Sequence, residues 1–300
     1  MFDNIKIINR KKHLRPTSHY YIHLRWQQRE LAFGRYGLGK SSLVALTQYT
    51  DIQHLVQAMK PQIQSRSGIL VYIHGFMAHV GFFEKKAGFY LQHDVFDHIQ
   101  TNYPVVLSLK WESEPDYQQS IQSASQKAEL LWGALLTIYR ELDGGQMGLQ
   151  WSWLCHSMGN RIFAHLFVKK QAEAKNMVIK DVLLMAADIP NDIFSKELNG
   201  LISSTCRTFC FISKTDKTLE IANWIVPYPR LGREGAVISA SSSHLLEVDV
   251  SEITDHEGLA PRLLKHRYYY ASNTIRKLLV MILNGEDNMK PYSAPYCLRT

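Results

Sequence analysis

The sequence predicts an α/β fold in which helices flank a mostly parallel sheet. From Ile69 onward, short apolar runs alternate with helical patterns, as they do when crossover helices connect parallel strands. The runs predict six strands, at residues 69–75, 104–111, 149–156, 181–188, 207–213 and 244–250. Residues 19–37 alternate partially around a polar centre, which predicts an antiparallel hairpin at an edge of the same sheet.

The clearest helix is predicted between Tyr117 and Leu142, where apolar residues recur at spacings of three and four. The last helix has Ser272 as its expected N-cap and ends at Asn284-Gly285. A shorter helix is expected to begin at Thr50 or Asp51.

One domain is expected. A chain of 300 residues with 46% hydrophobic composition can bury one large core. Neither a repeat nor a Pro/Gly/Ser-rich linker divides it. We therefore predict a single domain over residues 1–300, made of an N-terminal extension (1–68), a core (69–285) and a nonhelical tail (286–300).

The composition favours a soluble, cytoplasmic protein. The N-terminus has basic residues but lacks the apolar run of a secretory signal, and the longest apolar runs are far shorter than the ~20 residues that span a bilayer. The four cysteines do not form the pattern of a disulfide framework, and their spacing does not match a zinc site, which favours a reducing compartment. They are Cys155, Cys206, Cys210 and Cys297.

The formal net charge of +7 does not by itself indicate nucleic-acid binding, because most basic residues are scattered. The one dense cluster is typical of a solvated terminal arm, and we expect no nucleic-acid partner. It comprises Arg10, Lys11, Lys12 and Arg15. The oligomeric state is left open.

A candidate nucleophile, Ser157, follows the predicted strand 149–156 directly. Apolar residues at helical spacing come after it, so the serine would lie on the sharp strand-to-helix turn known as a nucleophile elbow. Gly159 would let the helix pass close to the strand, and Cys155 takes the place of the first glycine of G-x-S-x-G. The alternative is that Ser157 is only the N-cap of the helix.

Backbone donors are expected beside this serine. The strand 69–75 runs into His74-Gly75-Phe76, where a loop amide can turn toward the same edge of the sheet. We predict that the N–H groups of Phe76 and Met158 form an oxyanion hole. His74 is expected to be a structural hydrogen-bonding residue.

The acid and the base follow in the chain order of α/β-hydrolases. Asp216 lies in a loop after a predicted strand, and His266 precedes the last helix. His266 would accept the serine proton while Asp216 fixes its tautomer. Asp188, one strand earlier, is the alternative acid; His256 is a less favoured base.

These elements resemble an uncharacterised bacterial family of α/β-hydrolases, known mainly as a domain of unknown function, over about residues 69–283. The resemblance implies the α/β-hydrolase fold and hydrolase chemistry, without a substrate. The matching motifs are His74-Gly75-Phe76, Trp111 with Ser113, His156 to Asn160, Asp188, Ser213 with Asp216 and Leu219, Leu231-Gly232, and His266 with Tyr268. The chain departs from it at Cys155, where the family has alanine or glycine, and at Glu112, usually proline, which is expected near the rim of the site.

A second motif competes with this interpretation. GRYGLGKS, residues 34–41, satisfies the phosphate-binding pattern G-x-x-x-x-G-K-[ST]. A phosphate-binding loop requires a buried strand before it and a helix after it. The residues before this motif are too polar for a buried strand, and those after it are too rich in β-branched and polar residues for a helix. A glycine-rich hairpin turn is the preferred interpretation.

The predicted activity is hydrolysis of a small-molecule or lipid-derived acyl ester or thioester, without a cofactor, because serine, imidazole and backbone amides supply the mechanism. Short segments at the usual insertion points predict no large lid. Aromatic residues would line an apolar entrance or simply close the core. They are Phe76, Phe82, Phe83, Tyr228 and Tyr268 to Tyr270. The alternatives are a non-catalytic interaction module on the same fold and a nucleotide-binding protein.

Overall fold

A computed structural model describes residues 17–40, 42–63, 67–77, 83–99, 101–143, 148–202, 207–237, 244–287, 289 and 296–299. Its strands are β1 (Ser18–Arg25), β2 (Glu30–Leu38), β3 (Leu43–Tyr49), β4 (Gly68–Ile73), β5 (Val105–Trp111), β6 (Gln150–His156), β7 (Val178–Met185), β8 (Arg207–Ile212), β9 (Leu245–Glu252) and β10 (Tyr296–Arg299). Its helices are α1 (Ile52–Met59), α2 (Phe83–Asp94), α3 (Tyr117–Leu142), α4 (Gly159–Glu173), α5 (Asn199–Ile202), α6 (Lys217–Ile225), α7 (Leu231–Glu234), α8 (Leu259–Leu264), α9 (Tyr268–Ala271) and α10 (Asn273–Asn284).

Within these residues all strands belong to one sheet, in the order β10-β9-β8-β7-β6-β4-β5-β1-β2-β3. The six predicted strands are β4 to β9, and each pairs with its neighbours in parallel. The predicted α/β-hydrolase fold, with a mostly parallel sheet and an antiparallel edge, is confirmed.

The strand predicted at 181–188 begins and ends three residues earlier, as β7. It ends at Met185 because Ala186 has a positive φ of 45°, which an extended strand cannot continue through. Residues 186–188 are therefore released from the sheet. Asp188 lies in the loop beyond the strand.

The N-terminal hairpin is present, and it is more extensive than the sequence predicts. β1 and β2 pair antiparallel, and β3 adds a third antiparallel strand. On its other side β1 pairs in parallel with β5, and its Tyr20, Ile22 and Leu24 are buried in the main core. The N-terminal segment is thus built into the central sheet.

The GRYGLGKS segment lies in this hairpin. Gly34 to Leu38 belong to β2, and the N–H of Gly39 donates to the carbonyl of Ser42 at 2.9 Å where the chain reverses into β3. Ser41 lies outside the described residues. The segment joins two antiparallel strands and lacks the strand-to-helix junction of a phosphate-binding loop.

The tail, predicted only to be nonhelical, contains a strand. β10 pairs in parallel with β9 at the end of the sheet. Four residues are too few for a periodic pattern, so local sequence gave no sign of it.

Helices α1 and α10 begin at expected caps, α10 also ends at one, and α3 has a cap that was not predicted. Asp51 accepts a hydrogen bond from the N–H of His54, and Ser272 accepts one from Ile275. Asp116 caps α3, and Gly285, with φ 70°, ends α10. Helices α1, α3 and α4 cover one face of the sheet, while α2, α9 and α10 cover the other.

Some predicted features fall outside the description. The basic cluster from Arg10 to Arg15 and Cys206 lie outside the described residues, as does the side chain of Cys297. Cys155 and Cys210 are buried free thiols. Among the described helices, none is long and apolar enough to cross a membrane.

Candidate active site

A cavity of about 420 Å³ opens at the carboxyl ends of β4 and β6. Polar groups of Ser157, Asp188 and His266 lie in a wall that is otherwise largely apolar. The full lining is Gly75, Phe76, Met77, Tyr117, His156, Ser157, Asp188, Thr218, Leu219, Ile221, Ala222, Ile225, Leu264, His266, Arg267, Tyr269 and Tyr270. Among the predicted entrance aromatics, Phe76, Tyr269 and Tyr270 line it.

Ser157 lies on a strained turn between β6 and α4. Its φ is 53°, in the left-handed region that a residue with a side chain rarely adopts. The turn is held by hydrogen bonds from the N–H of Ser157 to the carbonyl of Met185, and from the N–H of Asp188 to the carbonyl of Ser157. Strain of this kind persists only where the surroundings enforce it, and it is typical of functional sites.

Asn160 is part of what enforces the turn. Its buried side-chain amide lies within hydrogen-bond distance of three carbonyl oxygens, those of Ser157 (2.9 Å), Cys155 and Met185 (both 3.3 Å). One side chain therefore ties together the end of β6, the serine turn and the end of β7. The sequence showed Asn160 only as the last letter of H-S-M-G-N.

Two glycines allow the backbone segments to meet. A β-carbon on Gly159 would lie 2.5 Å from the carbonyl oxygen of His74, and one on Gly75 would lie 2.8 Å from the β-carbon of Ser157. Neither position has room for a side chain without movement of the backbone. The loop after β4 thereby packs directly against the serine turn.

The predicted oxyanion-hole residues flank the serine. Phe76 lines the cavity, and Met158 is the residue immediately before α4. Neither backbone N–H donates a hydrogen bond to another described residue. The N–H of Met158 lies at the N-terminal end of α4, which favours negative charge, and the N–H of Phe76 lies in the loop that packs against the serine turn, so the two groups are suitable donors for an oxyanion.

His74 supports the loop instead of entering the cavity. Its Nδ1 donates to the carbonyl of Gly75 at 2.8 Å, and its Nε2 accepts the N–H of Trp111 at 3.2 Å. The ring also stacks on the Trp111 indole. Ser113 accepts the N–H of Met77, so the Trp111 and Ser113 motif holds the loop after β4.

His266 and Asp216 form a buried pair. Nδ1 of His266 lies 2.7 Å from Oδ2 of Asp216, and His266 lines the cavity. The other carboxylate oxygen accepts the N–H of Leu219 and caps α6. No hydrogen bond between Ser157 and His266 is present among the described residues, and such contacts often tighten only when substrate binds.

His156 connects the serine turn to the His266 segment. Burial, with a smaller effect of the neighbouring His266, holds the pKa of His156 well below its usual value, so the ring is neutral. Its Nε2 donates to the carbonyl of His266 at 3.0 Å, and its ring stacks on Tyr269. The residue before the serine thus holds the segment that carries the candidate base.

Asp188 lies at the cavity but is bound elsewhere. Its carboxylate forms a buried ion pair with Arg230 at 2.7 Å and accepts hydrogen bonds from the hydroxyls of Tyr117 (2.5 Å) and Tyr228 (3.2 Å). Among the described residues, no contact joins it to His266. No motif in the sequence indicated that Arg230 and Tyr117 bind the carboxylate of Asp188.

Other predicted positions lie away from the cavity. Tyr228 contacts Arg161 and Asp188 outside the cavity wall, and Tyr268 is buried with its hydroxyl donating to the carbonyl of Phe211. His256 is buried and is absent from the wall described above. Phe82 and the side chain of Phe83 lie outside the described residues.

The expectation that Glu112 lies near the rim of the site is wrong. Its carboxylate accepts the N–H of Trp26, in the turn between β1 and β2, and lies 3.5 Å from His23. The N-terminal hairpin next to β5 draws this side chain away from the cavity.

Cys155 is an unsuitable nucleophile. It is fully buried, and burial raises the pKa of its thiol well above the usual value. The thiol therefore stays protonated and acts as a small apolar side chain beneath the serine turn.

The strained serine turn, the sheet order and the buried histidine–carboxylate pair define an α/β hydrolase. The family described as "Alpha/beta hydrolase of unknown function (DUF900)" matches residues 51–283, and the chain belongs to this family. The resemblance inferred from motifs is confirmed, and the match starts earlier than residue 69, so it includes α1. No match was found among curated proteins.

Two solved structures are similar to this chain at low identity. One, described as a cell surface hydrolase from Lactobacillus plantarum WCFS1, is 11% identical, with 75% of this chain and 94% of that chain covered and a TM-score of 0.41. The other, a variant of the esterase Est22, is 9% identical, with 89% and 79% covered and a TM-score of 0.36.

Proposed function

We propose that this protein is a serine hydrolase that cleaves a carboxylic ester or thioester through an acyl-enzyme intermediate. The observation that carries the proposal is the left-handed turn at Ser157, which brings a serine to a cavity that His266, hydrogen-bonded to the buried Asp216, also lines. A helix N-cap serves equally well without positive φ, so the strain supports a chemical role.

The hydroxyl oxygen of Ser157 attacks the acyl carbon while Nε2 of His266 takes the hydroxyl proton. Because Nδ1 of His266 is bonded to Asp216, Nε2 is the nitrogen free to act as the base. The bond to the leaving group then breaks, and His266 returns the proton to the departing alcohol or thiol. Water repeats the sequence on the acyl-enzyme and restores the serine.

The negative oxygen of each tetrahedral intermediate would be bound by the N–H groups of Phe76 and Met158. Their lack of other acceptors among the described residues supports this role. The apolar wall, with Phe76, Leu219 and Tyr269, suits an acyl chain better than a charged group. Asp188 supports the site through Arg230 and does not orient the base.

Covalent labelling tests the proposal. A fluorophosphonate requires an activated serine, so mass spectrometry is expected to place the adduct on the peptide that contains Ser157. Ser157→Ala and His266→Ala are expected to abolish labelling while remaining folded by circular dichroism. His256→Ala and Lys40→Ala are the matched controls and are expected to label normally.

The same experiment separates the alternatives. An unlabelled Ser157 in folded protein would reject the hydrolase chemistry and favour the interaction module. A rise in melting temperature with magnesium-ATP that depends on Lys40 would instead favour nucleotide binding. If labelling succeeds, a panel of p-nitrophenyl esters and acyl thioesters then identifies the acyl group.

A further inference from the structure

Large apolar side chains face solvent on helices that also contribute residues to the cavity wall. Two helices supply them, α6 and α8. We call this set the mouth patch; it comprises Ile221 (47% exposed), Trp224 (75%), Ile225 (54%), Leu259 (73%) and Leu263 (64%). A cluster of large apolar groups on a soluble surface marks an interaction site, whereas single exposed ones need no explanation.

The mouth patch is continuous with the cavity. On α6, Ile221, Trp224 and Ile225 are spaced three and four apart and share one face, and the two isoleucines also line the cavity wall. Leu264, which follows Leu263 on α8, lines the same wall, and the two helices pack together. The apolar surface is therefore continuous from the patch into the cavity wall that Ser157 also lines.

Basic residues lie next to the two helices that carry the mouth patch. Lys214 precedes α6, Arg262 lies within α8 and Lys265 follows it. Arg262 and Lys265 donate to the carbonyls of His256 and Ser251, and among the described residues no carboxylate forms an ion pair with any of the three. The carboxylate on α6, Glu220, is compensated by Lys217 and Arg233. The whole chain carries a formal charge of +7. Such a surface attracts an anionic partner.

We propose that the mouth patch docks the protein on an anionic phospholipid surface, from which a lipid-derived acyl substrate enters the cavity. Exposed tryptophan and leucine beside lysine and arginine are the composition of helices that lie in the interfacial region of membranes. A second copy is disfavoured as the occupant. A two-fold contact would face Lys214, Arg262 and Lys265 with the same cations of its partner.

The substrate part of this inference rests on the proposed hydrolase function, but docking does not. Binding is therefore measured on Ser157→Ala protein, which cannot turn over lipid. The probe is flotation with vesicles of phosphatidylcholine alone, or of phosphatidylcholine mixed with phosphatidylglycerol. We expect binding to the anionic vesicles to exceed binding to the neutral ones and to weaken as salt is raised.

The variants locate the docking surface. In the same background, Trp224→Ser with Leu263→Ser is expected to weaken partitioning at least about tenfold, because two large apolar side chains no longer leave water. Lys214→Gln and Arg262→Gln are expected to weaken it about fivefold each. Leu46→Ser with Val178→Ser is the matched control, since these residues are exposed (62% and 47%) but lie on β3 and β7, and it is expected to bind normally.

Three results would overturn the proposal. The first is an absence of binding to both kinds of vesicle, and the second is equal loss in the patch and control variants. The third is a dimer in analytical ultracentrifugation that only the patch variant disrupts, which would make a second copy the occupant. Failure of fluorophosphonate labelling together with patch-dependent binding would reject only the proposed chemistry.

Discussion

Asp216 holds His266 at 2.7 Å with one carboxylate oxygen and caps helix α6 with the other. One residue therefore fixes both the imidazole and the start of a helix whose side chains line the cavity. Because asparagine is also a good N-cap, replacing Asp216 with asparagine removes the carboxylate from His266 but keeps the cap of α6. The effect on the imidazole can therefore be measured apart from the effect on folding.

Asp216→Asn is expected to lower kcat by roughly 10⁴, because the amide cannot enforce the tautomer and stabilise the imidazolium, while the cap and the fold are kept. Asp188→Asn is the comparison. It leaves the buried Arg230 charge without its partner, so we expect the free energy of unfolding to fall by about 3–5 kcal/mol with a much smaller loss of kcat. Ester turnover and urea unfolding measure the two effects. The opposite ranking in kcat would transfer the role of acid to Asp188.

His156 is expected to act as a positioning residue for His266. His156→Phe keeps a ring that can stack on Tyr269 but removes the donor to the His266 carbonyl, and we expect a roughly tenfold loss in kcat, the effect of one hydrogen bond. His156→Gln retains a donor and is expected to recover most of the loss. Equal losses in both variants, in proportion to their melting temperatures, would leave His156 with only a packing role.

Asn160→Asp tests the support of the serine turn. The substitution keeps the shape but replaces an amide donor that serves three carbonyl oxygens with a charged acceptor. We expect the free energy of unfolding to fall by about 3 kcal/mol or more, and fluorophosphonate labelling to slow. Asn273→Asp, at the exposed start of α10, is the control and is expected to be neutral. A fully stable Asn160→Asp protein would contradict the assignment.

The stability of the protein is expected to depend on pH through His19 of β1. Burial lowers the pKa of this residue from 6.5 to about 3. Between these values the unfolded chain binds a proton that the folded one does not. The free energy of unfolding therefore falls with decreasing pH, by up to about 1.4 kcal/mol per pH unit for this residue alone.

Urea unfolding between pH 7 and pH 4.5 measures this dependence. His19→Gln is expected to have a shallower decline than the unaltered protein, and His54→Gln, at an exposed histidine of α1, is the comparison. Identical slopes in all three proteins would show that acid sensitivity arises elsewhere.

Much of the fold could be predicted because its elements carry local signals. Apolar spacing and caps identified α3 and α10, and apolar runs identified β4 to β9. The pairing of β1 with β5 had no local signal, since a strand pattern does not specify its distant neighbour. The same is true of the strand β10.

The candidate site also contains residues that the sequence identified and residues that it did not. Ser157, Asp216 and His266 occur in a recognisable chain order next to strand ends, so the pairing of His266 with Asp216 and the position of Ser157 and His266 in one cavity wall could be anticipated. The ion pair of Asp188 with Arg230 joins residues 42 positions apart, and its hydrogen bond with Tyr117 spans 71. Such partners are set by packing and not by any motif, which is why the sequence favoured Asp216 but left Asp188 as an alternative acid.

At Ser157, the left-handed backbone places the thermal stability of the fold in conflict with the proposed reactivity of the side chain. Glycine adopts φ near 53° without penalty, whereas other residues pay of order 1 kcal/mol or more there. A directed-evolution screen that rewards only heat resistance would therefore favour Ser157→Gly, and would enrich proteins that survive heating but have lost the proposed nucleophile. Thermostable variants of this chain have to be sought under simultaneous selection for turnover.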